Sequence, residues 1–257
     1  MKYIFCLIII FLISCNSKNK EHNISVDKKN NSSKVVIKKE KNICWIGTLN
    51  SRIPIFLHYQ IIDNLISGEI TYLNTKERKP IKVKGTFENK HLRILEFEKN
   101  GNITGVISGI PNNENFNGSW FSPKTKKELS LELVKSDSII YSKNIDTKID
   151  NVYGEYHYQY SETGYQGDVT LTKIDNQNAS FNIFSVTAAP SRNIADMETD
   201  TIKLNKTEFV YNLPESDGCE VKVQFFKDFV YINYTKGYCL GQFGHNATID
   251  GIFIKTK

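Results

Sequence analysis

Read as a string of apolar and polar positions, the chain changes character at two points. Ile4 to Ile13 is an unbroken apolar run, residues 16–43 are polar with Val35-Val36-Ile37 as their one apolar cluster, and residues 44–257 break into short runs rich in Ile, Val, Phe, Tyr and Thr. In this last part Gly, Asn and Asp interrupt the runs at intervals of about 8–14 residues, and no helical period is sustained over ten residues, which is the all-β signature. Eight strands are expected between Cys44 and Val134: Cys44–Leu49, Ile53–Ile61, Leu65–Leu73, Pro80–Phe87, His91–Lys99, Ile103–Ile110, Phe116–Phe121 and Leu129–Leu133. In the second of them Ile53, Ile55, Leu57, Tyr59 and Ile61 alternate with Pro54, Phe56, His58 and Gln60, a period of two. In the fifth, Leu92 and Ile94 share one face while Leu95 and Phe97 share the other, a phase change that predicts a bulge near Ile94. Asn100-Gly101-Asn102 is a hairpin signal.

Residues 135–150 are polar and irregular apart from Ile139-Ile140-Tyr141, and a domain boundary is expected there. A second set of strands follows at Gly154–Tyr160, Gly167–Ile174, Ala179–Val186, Asp200–Leu204, Glu208–Leu213, Cys219–Phe226, Phe229–Thr235 and Ala247–Lys255, with Pro190 to Ala195 as the one stretch able to form a helical turn. Both sets open on an aromatic–Gly strand and end in an alternating apolar strand, which hints at duplication without a residue-level match. Short turns leave little room for crossovers, so the expectation is two small antiparallel domains of meander type, residues 44–134 and 151–257, each a β-barrel or β-sandwich.

Composition changes this picture only through the distribution of charge. The chain carries a net +5, and residues 16–43 hold eight Lys against Glu21, Asp27 and Glu40. With Lys2 in the apolar leader, residues 44–257 keep 24 basic and 25 acidic side chains. The basic pI therefore belongs to the polar segment, and nucleic-acid binding, which needs a basic face on the folded part, is not expected. A segment so poor in apolar residues cannot offset the entropy of ordering, so residues 15–43 read as a flexible tether. Its lysines suit a position beside anionic lipid headgroups, and equally a plain solvated spacer.

Lys2 followed by ten apolar residues is a secretory leader, too short to span a bilayer. It ends in Leu12-Ile13-Ser14-Cys15, which resembles the lipobox of bacterial lipoproteins. The resemblance implies cleavage after Ser14, removal of residues 1–14, and acylation of Cys15 on its sulfur and its new amino group. The partner implied is a membrane held through lipidated Cys15, in the cell envelope and at the outer membrane on its periplasmic or surface face; two or more chains give durable attachment.

Export also governs the remaining cysteines, since exported proteins meet an oxidising compartment. Cys219 and Cys239 lie 20 residues apart and flank a hairpin near Lys227-Asp228, so a disulfide between them is expected, contributing roughly 3 kcal/mol. Metal ligation is the rival, but neither Cys-x-x-Cys nor a paired His accompanies them. Cys44, beside Trp45, reads as core. His58 and His157 fall on the less apolar faces of their strands and are expected at the surface.

No nucleophile motif, phosphate loop or dinucleotide fingerprint is present. Glu96 and Glu98 stand about 7 Å apart on one strand face, a spacing a retaining glycosidase could use, although surface charge is the commoner meaning. No catalytic residue, metal or cofactor is assigned. The residues best suited to a ligand are Tyr156, Tyr158 and Tyr160, on one strand face with Tyr165 in the turn beyond. Tyrosine combines apolar area with a hydroxyl, which suits glycan or protein contact; if the face points inward the rings are core. Loop 238–246 offers Gln242, His245 and Asn246 between glycines and the expected disulfide.

Gly68-Glu69-Ile70-Thr71-Tyr72 and Asn117-Gly118-Ser119-Trp120 resemble small avidin-type barrels, which implies a fold and no biotin site. Cys219, Cys239-Leu240-Gly241-Gln242-Phe243-Gly244 and the strand after Gly251 resemble the closing segment of secreted bacterial β domains. Together these readings describe a membrane-anchored envelope lipoprotein acting as a non-catalytic binding module for an envelope protein or glycan. The alternative is an inhibitor of an envelope-directed enzyme such as lysozyme, and a hydrolase comes third.

Overall fold

The computed structural model describes residues 42–137 and 151–257. The leader, Cys15, the tether before residue 42 and residues 138–150 lie outside the described residues.

The described chain is all-β. Alternation of apolar and polar positions builds β1 (Ile43–Leu49), β2 (Ile53–Ile62), β3 (Leu65–Tyr72), β4 (Ile81–Glu88), β5 (His91–Phe97), β6 (Ile103–Pro111), β7 (Asn115–Phe121) and β8 (Glu128–Lys135). Each pairs antiparallel with the next, and β1 pairs with β8 from Trp45↔Lys135 to Leu49↔Leu131, closing an up-and-down barrel. Closure leaves no ladder unpaired. Its interior is filled by one residue in two from each strand, among them Trp45, Ile55, Leu57, Tyr59, Ile70, Ile94, Phe116 and Leu131.

The second set is β9 (Gly154–Gln159), β10 (Gln166–Lys173), β11 (Asn178–Val186), β12 (Ile194–Lys203), β13 (Glu208–Asn212), β14 (Glu220–Phe225), β15 (Phe229–Lys236) and β16 (Gly251–Lys255). Here too the first strand pairs with the last, β9 with β16, and each strand with its successor, except that no ladder joins β12 to β13. The sheet is the same meander opened at its middle. Side chains bridge the seam: the Tyr211 hydroxyl donates to Asp200 Oδ2 at 2.9 Å, and the rings of Phe181 and Phe209 meet edge to face at 4.7 Å.

Three expectations are corrected. Pro190 to Ala195 forms no helical turn: Ala189–Pro190 is a cis bond within a turn, and Ile194 and Ala195 already belong to β12. The bulge in the β5–β6 ladder lies at Glu96/Phe97, not Ile94, with Thr104 as the extra residue. The double apolar phase has another cause. Leu92 and Ile94 fill the barrel, while Leu95 and Phe97 point outward and are buried against the second sheet. His58 is buried at 4% exposure, with Nε2 3.8 Å from Glu69.

That outward burial joins the two sheets. Leu65, Leu95, Phe97 and Ile103 of the barrel wall belong to the same apolar cluster as the second sheet's core. The β5–β6 turn, with Gly101 at φ +89°, lies so close to His157 that a Cβ on Gly101 would fall 2.7 Å from its carbonyl oxygen. Gln159 N–H donates to the Gly101 carbonyl at 3.1 Å. The Lys227-Asp228 hairpin meets β4, where Asp228 accepts from Lys84 at 2.7 Å and from Lys82 at 2.8 Å. Lys84 is buried, donates also to Ser67 Oγ at 2.7 Å, and sits 4.6 Å over the Phe229 ring.

Removing one partner of a buried ion pair leaves the other charge uncompensated and costs about 3–5 kcal/mol. Asp228→Asn is expected to lower stability by about 3 kcal/mol in urea unfolding at pH 7. Lys84→Met is expected to lose less, because it keeps an apolar stem over Phe229 and leaves Asp228 25% exposed and still paired with Lys82. Burial opposes ionisation of Asp228, but Lys84 and Lys82 outweigh it and hold its carboxyl below the usual range. Its contribution is therefore full above about pH 4, the unfolded value, and is lost as pH falls through the depressed folded value. The gap between wild type and Asp228→Asn is expected to close as unfolding is repeated toward pH 3.

Candidate functional site

Where the barrel wall meets the rim of the second sheet, a cleft of about 500 Å³ opens, and four tyrosines face it: Tyr158, Tyr160, Tyr165 and Tyr231. Two strands, a strand end and one turn place them. Tyr158 lies near the end of β9 and Tyr160 just beyond it, with their rings edge to face at 6.0 Å. Tyr165 follows in the β9–β10 turn, which is closed by Tyr160 N–H donating to the Tyr165 carbonyl at 2.9 Å. Tyr231 occupies an outward position on β15 between buried Val230 and Ile232. From the barrel, β5 contributes Arg93, whose guanidinium donates to the Tyr160 hydroxyl at 2.7 Å, and β4 contributes Glu88. Asp250, just before β16, adds a second carboxylate and accepts from the Thr248 hydroxyl.

Burial pushes the Tyr158 phenol above its ordinary value, with Tyr160 and Asp250 adding to the shift. Burial likewise raises Tyr231, helped by Glu88 and Asp250. Both hydroxyls are thus O–H donors at neutral pH. The cleft combines aromatic faces with one guanidinium, two carboxylates and neutral hydroxyls. Among the described residues no group of three His, Cys, Asp or Glu side chains is placed to hold a metal ion.

The expected tyrosine face is divided by the fold. Tyr156 is wholly interior, packed on Phe225 and donating its hydroxyl to the Val152 carbonyl. Tyr158 is mostly buried against Phe253 and reaches the cleft at its edge. Tyr160 lines it outright. Loop 238–246 is elsewhere. Cys219 and Cys239 form a disulfide with Cα atoms 5.0 Å apart. Gln242 Nε2 donates to the Tyr238 carbonyl at 2.9 Å, the His245 carbonyl accepts from Asn193 at 2.7 Å, and Asn246 has φ +58°. None of Gln242, His245 and Asn246 lines the tyrosine cleft. Glu96 and Glu98 do not act as an exposed pair: Glu96 is inside the barrel end and Glu98 is on the surface, accepting from Asn102. His157 is partly buried and bonded through Nδ1 to Asp168 at 2.7 Å. Cys44 is a free, buried thiol.

The spacing of residues does not single out Arg93, Glu88, Tyr231 or Asp250. Arg93 and Tyr231 do carry a signal, since each is a large polar residue set between two buried apolar positions of its strand, Leu92 and Ile94 for Arg93 and Val230 and Ile232 for Tyr231. Glu88 and Asp250 carry none, because they flank turns, where carboxylates are common.

The interior and cleft tyrosines should separate by stability. Tyr156→Phe removes one buried hydrogen bond and is expected to cost about 1 kcal/mol. Tyr165→Ala, at 41% exposure, is expected to stay within about 0.5 kcal/mol of wild type. Urea midpoints of the two variants check this.

In comparisons with known proteins, no protein-family model, no curated protein and no solved structure matches the chain.

Proposed function

We propose that this chain is a cell-envelope lipoprotein, anchored through lipidated Cys15, whose β-rich body is a non-catalytic binding module that takes a glycan in the tyrosine-lined cleft. The observation that carries the reading is the convergence of Tyr158, Tyr160, Tyr165 and Tyr231 from two strands, a strand end and a turn onto one concave space. A saccharide offers apolar C–H faces ringed by hydroxyls. Tyrosine rings match the faces, while Arg93, Glu88 and Asp250 match the hydroxyls as donor and acceptors. A cleft of about 500 Å³ is within the range of small-ligand sites. A protein partner needs about 800 Å² of surface on each side, which favours a flatter face.

Titration calorimetry of the mature chain against size-fractionated envelope oligosaccharides tests this. Saturable binding is expected, weakened at least tenfold by Tyr165→Ala with an unchanged unfolding midpoint, and by Tyr231→Ala, whose ring packs on the core and whose midpoint falls while the fold is kept. Absence of heat with every fraction at millimolar concentration, or binding indifferent to both substitutions, sinks the reading.

One observation favours a second reading, inhibition of an envelope-directed enzyme. The disulfide-held loop presents Tyr238 and Leu240 at 62% and 70% exposure, an apolar tip on a constrained segment. Such a tip suits insertion into an enzyme cleft. Stoichiometric loss of muramidase activity on adding the mature chain, abolished by Leu240→Asp, supports it; full activity at excess discards it.

A further inference from the structure

A second and larger cleft, of about 1060 Å³, opens at the end of the barrel that carries the β3–β4 and β5–β6 turns, bounded on one side by β16. Its wall holds a buried carboxylate. Glu96, at 1% exposure, accepts from Trp120 Nε1 at 2.7 Å, from the Tyr72 hydroxyl at 3.0 Å and from the Thr104 hydroxyl at 3.3 Å. Every donor is neutral. Gly105 leaves the space this cluster needs, since a Cβ there would fall 2.4 Å from Trp120 Nε1 and 2.7 Å from the Glu96 carboxyl. Burial drives the Glu96 carboxyl above the usual carboxylate range, against the pull of these three donors.

Outside that wall the lining is sorted. Ile81, Phe97, Trp120 and Ile254 supply an apolar floor, and Lys76, Lys79 and Lys99 stand exposed around the opening on the two turns. Glu69, Glu77 and Glu98 also line it and Lys82 is already held by Asp228, but Lys255 adds a fourth ammonium group against these three carboxylates, so positive charge is in excess around the opening. We propose that this cleft is a binding site for a free single-chain amphiphilic anion of the fatty-acid type, its apolar chain on the Ile81–Phe97–Trp120–Ile254 floor and its acid head among Lys76, Lys79 and Lys99. Charge complementarity selects the occupant. Exposed ammonium groups around a recessed apolar floor match one apolar body with one anionic end. A neutral oil leaves the lysines unused, and an amine is repelled by them. The recess itself argues for a molecule taken from water rather than from a bilayer, because an intact membrane surface cannot enter a concavity behind exposed lysines. The site shares no tyrosine with the glycan cleft, and its assignment stands without that reading.

The test is titration of the full chain with dodecanoate and with dodecanol, followed by tryptophan fluorescence; Trp120 lines the site, and the only other tryptophan, Trp45, is buried in the barrel. One equivalent of dodecanoate is expected to bind at least tenfold more tightly than the alcohol. The double variant Lys79→Glu/Lys99→Glu should lose at least tenfold, and Lys79→Arg/Lys99→Arg should retain affinity, with both unfolding as wild type does. Equal affinity for acid and alcohol, an unaltered charge-reversed variant, or no saturation below the micelle concentration overturns the proposal. So does lysine-dependent binding of phosphatidylglycerol vesicles with none of the free acid, which would assign the lysines to a membrane surface.

Discussion

The contact on which the arrangement of the two sheets rests is the buried pairing of Lys84 with Asp228. β4 carries its side chains alternately into the barrel and out of it, and Lys84 falls on the outward phase, where a lysine ordinarily finds water. Here it finds the Lys227-Asp228 hairpin. Its ammonium is held by a carboxylate, a serine hydroxyl and the face of Phe229. Transfer of such a charge from water costs several kcal/mol, recovered only if every donor has a partner in good geometry. Apolar contacts would tolerate sliding of one sheet along the other, but an ion pair with its hydrogen bonds specified does not. Leu65, Leu95, Phe97 and Ile103 join the barrel wall to the second sheet's apolar core, and the ion pair supplies the register.

Both concavities depend on that register. Along β4, Lys82 lines the larger cleft, Lys84 makes the lock, and Gly85 and Thr86 line the tyrosine cleft. The docked hairpin thus stands between two spaces that open toward opposite ends of the barrel wall. Each space is bounded by β16 on one side and by the barrel on the other, so each has a wall from either sheet. Neither sheet alone encloses either one.

How much of this is legible in the sequence follows from where each residue's partners lie. The eight barrel strands read clearly because their environment is set within the barrel: one face in, one face out, closure by neighbours in order. The first half of β12 does not. Ala195 and Met197 are its only buried positions before Ile202, and Asp196 and the exposed run Glu198-Thr199-Asp200-Thr201 leave too weak an alternation to mark a strand beside an open seam. The second apolar phase of β5 is visible as Leu95 and Phe97, but a second sheet packed on the outer wall leaves the same trace as a bulge. Lys84, His58 and Glu96 look like surface residues in any one-strand reading. Only residues more than a hundred positions away, in the case of Lys84 and Asp228, make burial tolerable. Of the site, spacing alone points to Tyr158, Tyr160 and Tyr165, and it cannot exclude Tyr156, whose side chain shares their face but sits one pair further into the sheet.

The seam between β12 and β13 completes the comparison of the two sheets. In the barrel the corresponding middle ladder, β4 with β5, is the very wall that receives the second sheet and lines both clefts. In the second sheet the same ladder is missing, and its closure is left to Tyr211, Asp200 and the Phe181–Phe209 contact. The strands facing the barrel are instead β9, β15 and β16, where first and last strands pair. An interface needs a continuous wall, because an unpaired ladder within it would bury backbone donors and acceptors without partners, at about 1–3 kcal/mol each. The open seam is therefore tolerable only away from the contact. Placing the first–last pairing of the second sheet against the middle pairing of the barrel satisfies that condition, and it brings Tyr231 and Ile252 to the tyrosine cleft while leaving the seam outside it.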